Sequence, residues 1–236
     1  MRKLILLVLA AMLAAFAPPE RGLRYVFQID DAARQAGTVE VMRKRTEVAG
    51  IEAIVLPVEA DRIEVRVPYT VEHAKLVRML TWPGVLSFNL VDTAANAADY
   101  LIGEARNGRV RLETLSPSAG YPVIDMDPIL TRADIANTRT MTDQLGHPAI
   151  VIDLKPASAE WFARVTTTNV GRMFAIVIDD RIISAPVVQT PIRGGSLTIT
   201  GAFSREEAEG LAVVLRTEVL PAMPRLIETG TFGEPQ

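Results

Sequence analysis

The chain is expected to be α+β: a ferredoxin-like base with element order βαββαβ, followed by a second α+β subdomain. Three observations carry this. Residues 23–92 alternate short apolar runs with two amphipathic stretches in the order strand, helix, strand, strand, helix, strand. The composition then shifts to Ala, Asn, Gly and Ser between Thr93 and Gly120. Beyond it, a new set of strand and helix signals begins at the run YPVIDM.

In the base, RYVFQI, AIVLPV, RIEVRV and VLSFNLV read as strands, and TVEVMRKRTEVAG and TVEHAKLVRML as helices. Thr38 and Thr70 stand where N-caps belong, and Gly50 where a helix stops. ARNGRVRLE suggests a small Asn-Gly hairpin inside the connection. The second subdomain then runs strand YPVIDM, a polar stretch TRADIANTRTM, strand HPAIVIDL, a helix over Pro156–Thr168, a hairpin, strand SLTIT, a helix and an extended tail. Ser204 to Glu207 spell a capping box, and Ala208, Leu211, Ala212 and Leu215 recur on one helix face. The boundaries are 1–20 for an N-terminal segment, 21–92 for the base, 93–120 for the linker and 121–236 for the second subdomain.

The hairpin is the most informative stretch. Met173 to Ile178 is apolar on both strand faces, the pattern of a central strand. Asp179-Asp180 supplies a two-residue turn of the primed type, in which both residues take positive φ. In the next run Ile183, Ala185 and Val187 would share one face, and Ile182, Ser184, Pro186 and Val188 the other. Pro186 has no N–H for a ladder, so this strand is an edge or ends near it. Ile182, Ser184, Ala185, Pro186 and Val188 are thus candidate polypeptide-binding residues by strand addition. The opposed reading is that Pro186 blunts the edge against pairing. Leu220 and Pro221, returning from the last helix, are a candidate hinge.

With 236 residues, 49% of them hydrophobic, the chain can build a real core. Arg2 and Lys3 precede an uncharged run from Leu4 to Ala17, the form of an export signal. Fourteen helical residues span about 21 Å, less than a ~30 Å hydrocarbon core. Cleavage after Ala15-Phe16-Ala17 and retention as a membrane anchor both stay open. There is no cysteine, hence no disulfide and no thiolate nucleophile. Without Arg2 and Lys3, 23 basic residues face 28 acidic ones, a net of −5 that argues against a nucleic-acid partner. An extracytoplasmic, periplasmic location is expected.

No reactive constellation emerges. His73 and His147 lack metal-ligand neighbours at useful spacing. Asp125, Asp127, Asp134 and Asp143 lack the EF-hand spacing and read as solvated loop residues. Adjacent carboxylates in a turn point apart, so Asp179-Asp180 reads as turn chemistry. Gly194-Gly195 is followed by a strand and lacks the lysine of a phosphate loop, so it reads as a turn. The chain is therefore expected to be non-enzymatic, with no cofactor and no metal.

The signatures TNVGRMFAIVID, ISAP, ITGAFSREEAEGLAVVLR and LPA stand in one order. In that order they resemble the head of the first periplasmic domain of SecD, and TVEVMRKRTEVAG and ADRIEVRVP are similar to its base. The resemblance covers about residues 23–230. Three positions depart from the family. GLRYVFQIDD lacks the D-L-x-G-G stretch, Asp180 replaces the usual turn glycine, and Thr217-Glu218 replaces the usual Ser-Gly. The run after TFGEPQ that would start a membrane bundle is not in this sequence, so a standalone domain without proton coupling is expected. The resemblance implies a role in protein translocation, with unfolded or translocating polypeptide and Sec translocase components as partners. The alternative is an envelope interaction protein that keeps the fold without a preprotein role.

Overall fold

The computed structural model describes residues 21–95, 102–103, 105–106, 108–114, 122–200 and 204–233. The N-terminal segment of residues 1–20, read above as a signal or anchor, lies outside them. The chain divides into two units, at Trp82/Pro83 and at Val219/Leu220, so the first unit is built from both ends of the sequence.

The first unit contains β1 (Gly22–Ile29), α1 (Gln35–Val48), β2 (Ile54–Glu59), β3 (Arg62–Val67), α2 (His73–Thr81) and, from the far end of the chain, β15 (Pro224–Phe232). Its sheet order is β15-β1-β3-β2 and every neighbouring pair is antiparallel. This is the ferredoxin-like order, with one correction to the sequence reading: the fourth strand is β15 and not the run Leu86–Leu90. Alternation explains the core. Tyr25 and Phe27 of β1 pair with Val65 and Ile63 of β3, and all four are buried. Met42 of α1 and Leu76, Met79 and Leu80 of α2 are buried as well.

The other face of this sheet is polar and ordered by ion pairs. Glu64 is only 5% exposed and accepts from Arg24 Nε and Arg66 Nε, each at 2.6 Å, while Arg24 also reaches Glu228 of β15. Burial alone would push the Glu64 carboxyl up. The two guanidinium groups outweigh it and hold it below the usual carboxylate range.

Both predicted N-caps of the base move. A 3-10 turn, Ala32–Arg34, capped by the Asp31 side chain, precedes α1, so Thr38 is buried inside the helix and its hydroxyl donates to Arg34 O at 2.9 Å. Glu72, not Thr70, precedes α2. Gly50 ends α1 as expected: its φ is +67°, Gly50 N–H donates to Glu47 O and Ile51 N–H to Thr46 O, a Schellman ending.

The second unit holds β4 (Leu86–Leu90), β5 (Ala105–Arg106), β6 (Arg109–Arg111), β7 (Glu113–Thr114), β8 (Val123–Asp125), β9 (Leu130–Thr131), β10 (Ile135–Thr142) and β11 (Pro148–Leu154). They are followed by α3 (Pro156–Thr168), β12 (Phe174–Ile178), β13 (Arg181–Ser184), β14 (Ser196–Thr200) and α4 (Arg205–Arg216). The strands form sheets of order β7-β13-β12-β4-β9, β10-β11-β14 and β5-β6-β8. β4 pairs with β12 and β9, so the boundary expected at residue 92 moves back to Trp82/Pro83. Here partner choice decided: VLSFNLV reads as a strand in either sheet.

β5 and β6 pair antiparallel, with Arg106 opposite Arg109; Asn107 of the expected turn lies outside the described residues. The stretch TRADIANTRTM is not a polar connection but a 3-10 turn and strand β10, with Ile135 and Thr138 buried and most of the remainder exposed. The capping box at Ser204 forms, and Ala208, Leu211, Ala212 and Leu215 are all buried on α4. That helix packs on β10 and β11, where Thr138 donates to Ala212 O at 2.8 Å.

Asp179 and Asp180 have φ of +48° and +62°, as the primed turn demands. They differ in what they do. The Asp179 carboxylate accepts from Val85 N–H at 2.8 Å and Gly84 N–H at 3.3 Å, while Asp180 pays the left-handed cost with no such bond described. Asp180→Gly is therefore expected to stabilise the chain by about 1 kcal/mol. Asp179→Ala is expected to destabilise it by about 1–2 kcal/mol, because two backbone donors lose their acceptor and the positive φ is not relieved. Urea unfolding of both variants checks the pair of opposite signs.

Candidate functional site

The second unit carries an apolar groove of about 330 Å³. Its floor is aromatic. Phe88 of β4, Phe162 of α3 and Phe174 of β12 meet with ring centroids 6.4 Å apart for the first pair and 5.8 Å for the second. One side is the run from Pro186 to Thr190 with Ile192, and the other is Ser196, Leu197 and Thr198 of β14.

Specific polar groups hold these walls. Thr166, fully buried on α3, donates to Phe162 O at 2.8 Å and accepts from Ile192 N–H at 3.0 Å, fastening the loop to the helix that supplies the floor. Gly195 has φ of +66°, and a Cβ there would come within 2.8 Å of the Ala159 Cβ, so the predicted glycine turn also permits close approach of the strand to α3. The start of α3 is tied to Asp134, whose carboxylate accepts from Ser158 Oγ at 2.7 Å and from Thr131 N–H at 2.7 Å. Burial would raise the Asp134 carboxyl, but these hydrogen bonds and the charge of Lys155 hold it below its ordinary value.

The five candidate binding residues are split by one irregularity. β12 is buried on both faces and central, as its sequence requires. In β13, however, Val177 pairs with Ile182 while Ile176 pairs with Ser184, so Ile183 is an extra residue in a β-bulge. The bulge breaks the alternation assumed from sequence. Ile182, with no exposed surface, joins the cluster of Val91, Leu112, Ile124, Ala175 and Val177, and Ala185 packs against it. Pro186 and Val188 line the groove, and Ser184 is half-buried beside them in the chain.

β13 is not an edge strand at its start, because β7 pairs with it in parallel at Arg181 and Ile182. It does end near Pro186, at Ser184, although isolated bonds continue past it: the Pro186 carbonyl accepts from Phe174 N–H at 3.0 Å, and Val188 exchanges bonds with Arg172 and Gly171. The unpaired edge near the groove is β14, bonded only to β11 among the described strands. Sequence reasoning missed it, although SLTIT is β-branched, uncharged and without proline, the composition of an unprotected edge.

Leu220 and Pro221 lie just past the second division of the chain, within the first unit. There Pro221 O accepts from Arg34 Nη1 at 2.9 Å, and Pro221 packs against Gly37. His73 stacks on Tyr25 in the base and His147 pairs with Asp143 at the β10–β11 turn. Among the described residues no helix is long and apolar enough to cross a membrane.

The architecture is thus a ferredoxin-like base with a grooved α+β unit inserted before its last strand. Residues 111–222, all but the last three of them in the second unit, match the SecDF P1 head subdomain. Over 216 residues it is 32% identical to the protein translocase subunit SecD of Rhodobacter capsulatus, which covers 88% of this chain and 38% of that protein. To SecDF of Thermus thermophilus it is 31% identical over 224 residues, 90% of this chain and 30% of that protein. It therefore spans less than two-fifths of the length of these relatives. Among solved structures, a membrane component SecDF that enhances protein export superposes with a TM-score of 0.62 at 27% identity, covering 87% of this chain and 98% of that one. SecDF in its super-membrane-facing form gives 0.68 at 27% identity, over 89% of this chain and 30% of that one.

The Asp134 carboxylate sets a pH dependence. Its folded pKa lies below its unfolded value of about 3.9, so its contribution is complete above that value and is lost as pH falls through the folded pKa. Asp134→Ala is expected to be less stable than the parent at pH 7, with the gap narrowing steadily below about pH 4. Urea titrations at several pH values test this, and a gap constant down to pH 2 would exclude the carboxylate as its source.

Proposed function

We propose that this chain serves protein translocation outside the cytoplasm, receiving an extended, unfolded segment of a polypeptide in the groove of its second unit. The observation that carries the reading is the apolar groove between the Pro186–Thr190 run and β14, floored by the buried rings of Phe88, Phe162 and Phe174. Such a floor takes apolar side chains of varied shape, as a protein handling many clients requires. The relatives support the setting, since they are named translocase subunits and the solved SecDF is described as enhancing protein export. In this reading residues 4–17 direct export or anchor the chain, Sec translocase components are its neighbours, and no catalytic step is assigned to it. Movement between the units is assigned to the connection ahead of Leu220 and Pro221, because Arg34 holds Pro221 to the base.

Val187 lines the groove with 43% of its surface exposed, so it can be changed with little cost to the fold. A permanently unfolded reporter polypeptide is expected to bind the purified chain, and Val187→Asp to weaken that binding about tenfold, because a carboxylate would be desolvated on occupation. Fluorescence anisotropy reads both. Absence of binding to the parent protein would remove the preprotein role and leave an envelope interaction protein.

A further inference from the structure

The backbone of β14 has a defined polarity. Leu154 N–H donates to Gly195 O at 2.8 Å, which makes that pair a hydrogen-bonded one of the antiparallel β11–β14 ladder. Bonded and non-bonded pairs alternate. Ile152 with Leu197 and Ile150 with Ile199 are then the bonded pairs, and Ser196, Thr198 and Thr200 turn their N–H and C=O groups away from β11. No described strand pairs with that side. The edge carries no charge and no proline, the devices by which exposed edges are protected, and its residues Ser196 and Thr198 form one side of the apolar groove.

Resting on the groove reading above, we propose that β14 is a strand acceptor. An extended polypeptide adds antiparallel or parallel to its free edge through Ser196, Thr198 and Thr200, and places alternate apolar side chains over the aromatic floor. A second copy of this chain fits the same edge poorly. Its own β14 would bring Ile199, which is fully buried in its own core, and Leu197, which is already half-buried, and would leave only small hydroxyl side chains to fill an apolar groove. A five-residue strand pair by itself also falls well short of the roughly 1,200 Å² that a stable dimer buries. The occupant is therefore a chain whose apolar side chains are not committed to a fold. Recognition through the backbone explains how one site takes unrelated sequences.

The test uses the whole chain and a labelled model peptide of alternating leucine and threonine. A strand added to one edge bonds through the N–H groups of every second residue, so N-methylation of one parity removes those donors and methylation of the other parity leaves them intact. The side-chain alternation prevents escape by a one-residue slip, because a slip would turn leucine out of the groove. Methylation of one parity is expected to weaken binding about tenfold or more, and methylation of the other to change it about twofold at most. Thr198→Pro is expected to weaken binding similarly with an unchanged melting temperature, since the donor that it removes points away from β11. Equal effects of the two methylated peptides would overturn strand addition while leaving groove binding in place. A concentration-dependent dimer abolished in Thr198→Pro would assign the edge to a second copy and overturn it as well. No binding of the unmethylated peptide would remove the groove reading itself and this inference with it.

Discussion

Strand β1 is bonded along both of its edges, to β3 on one side and to β15 on the other, and the rest of the architecture depends on that pairing. Gly22 lies opposite Phe232 and Ile29 opposite Pro224, so the base cannot close until both ends of the chain have been made. The whole second unit is therefore an insertion between α2 and β15. Such an excursion is tolerable because loop-closure entropy grows only with the logarithm of length, about 0.6 kcal/mol per doubling, and because the insert builds a core of its own. Gly22 is needed where the pairing begins. A Cβ there would come within 2.1 Å of Val67 O, a clash with backbone that no side-chain movement relieves.

Polar side chains, some buried and some partly exposed, do the remaining positioning, most of them by meeting a backbone group that secondary structure leaves unpaired. Arg45, fully buried on α1, donates to Met79 O at 2.7 Å and Trp82 O at 2.5 Å, carbonyls of the last turn of α2 that have no helical partner. A guanidinium there also faces the negative end of the helix dipole. Asp179 does the converse for the N–H groups of Gly84 and Val85, immediately after the chain enters the second unit. Thr166 holds the groove's loop and Asp134 the start of α3.

The groove was partly legible. The hairpin, its primed turn at Asp179-Asp180 and the central position of β12 follow from two periodicities and from the tolerance of aspartate for positive φ. Pro186 and Val188 were reached by the same alternation, yet Ile182 and Ala185 were assigned to the wrong surroundings, because an inserted residue such as Ile183 shifts every later side chain to the other face. Nothing local in RIISAPVV announces the bulge. The aromatic floor was invisible for a different reason: Phe88, Phe162 and Phe174 come from three elements far apart in sequence, and each is an ordinary core position of its own element.

By itself the sequence determined most of the helices and strands, though not β10, and it determined where α1 ends, where the hairpin turns and how α4 begins. These depend on neighbours a few residues apart: Gly50 at a Schellman ending, Ser204 with Glu207 at a capping box, and the Ala208 to Leu215 stripe. Tertiary structure alone decided which strand completes which sheet. Leu86–Leu90 and Pro224–Phe232 are both competent strands, and the choice between them as the neighbour of β1 rests on register, side-chain fit and the open edges left by the other strands. It also decided that β7 covers the start of β13 while β14 keeps a free edge. A strand's own residues specify its extended form and its faces, whereas its hydrogen bonds are satisfied by whichever distant backbone the packed core brings alongside.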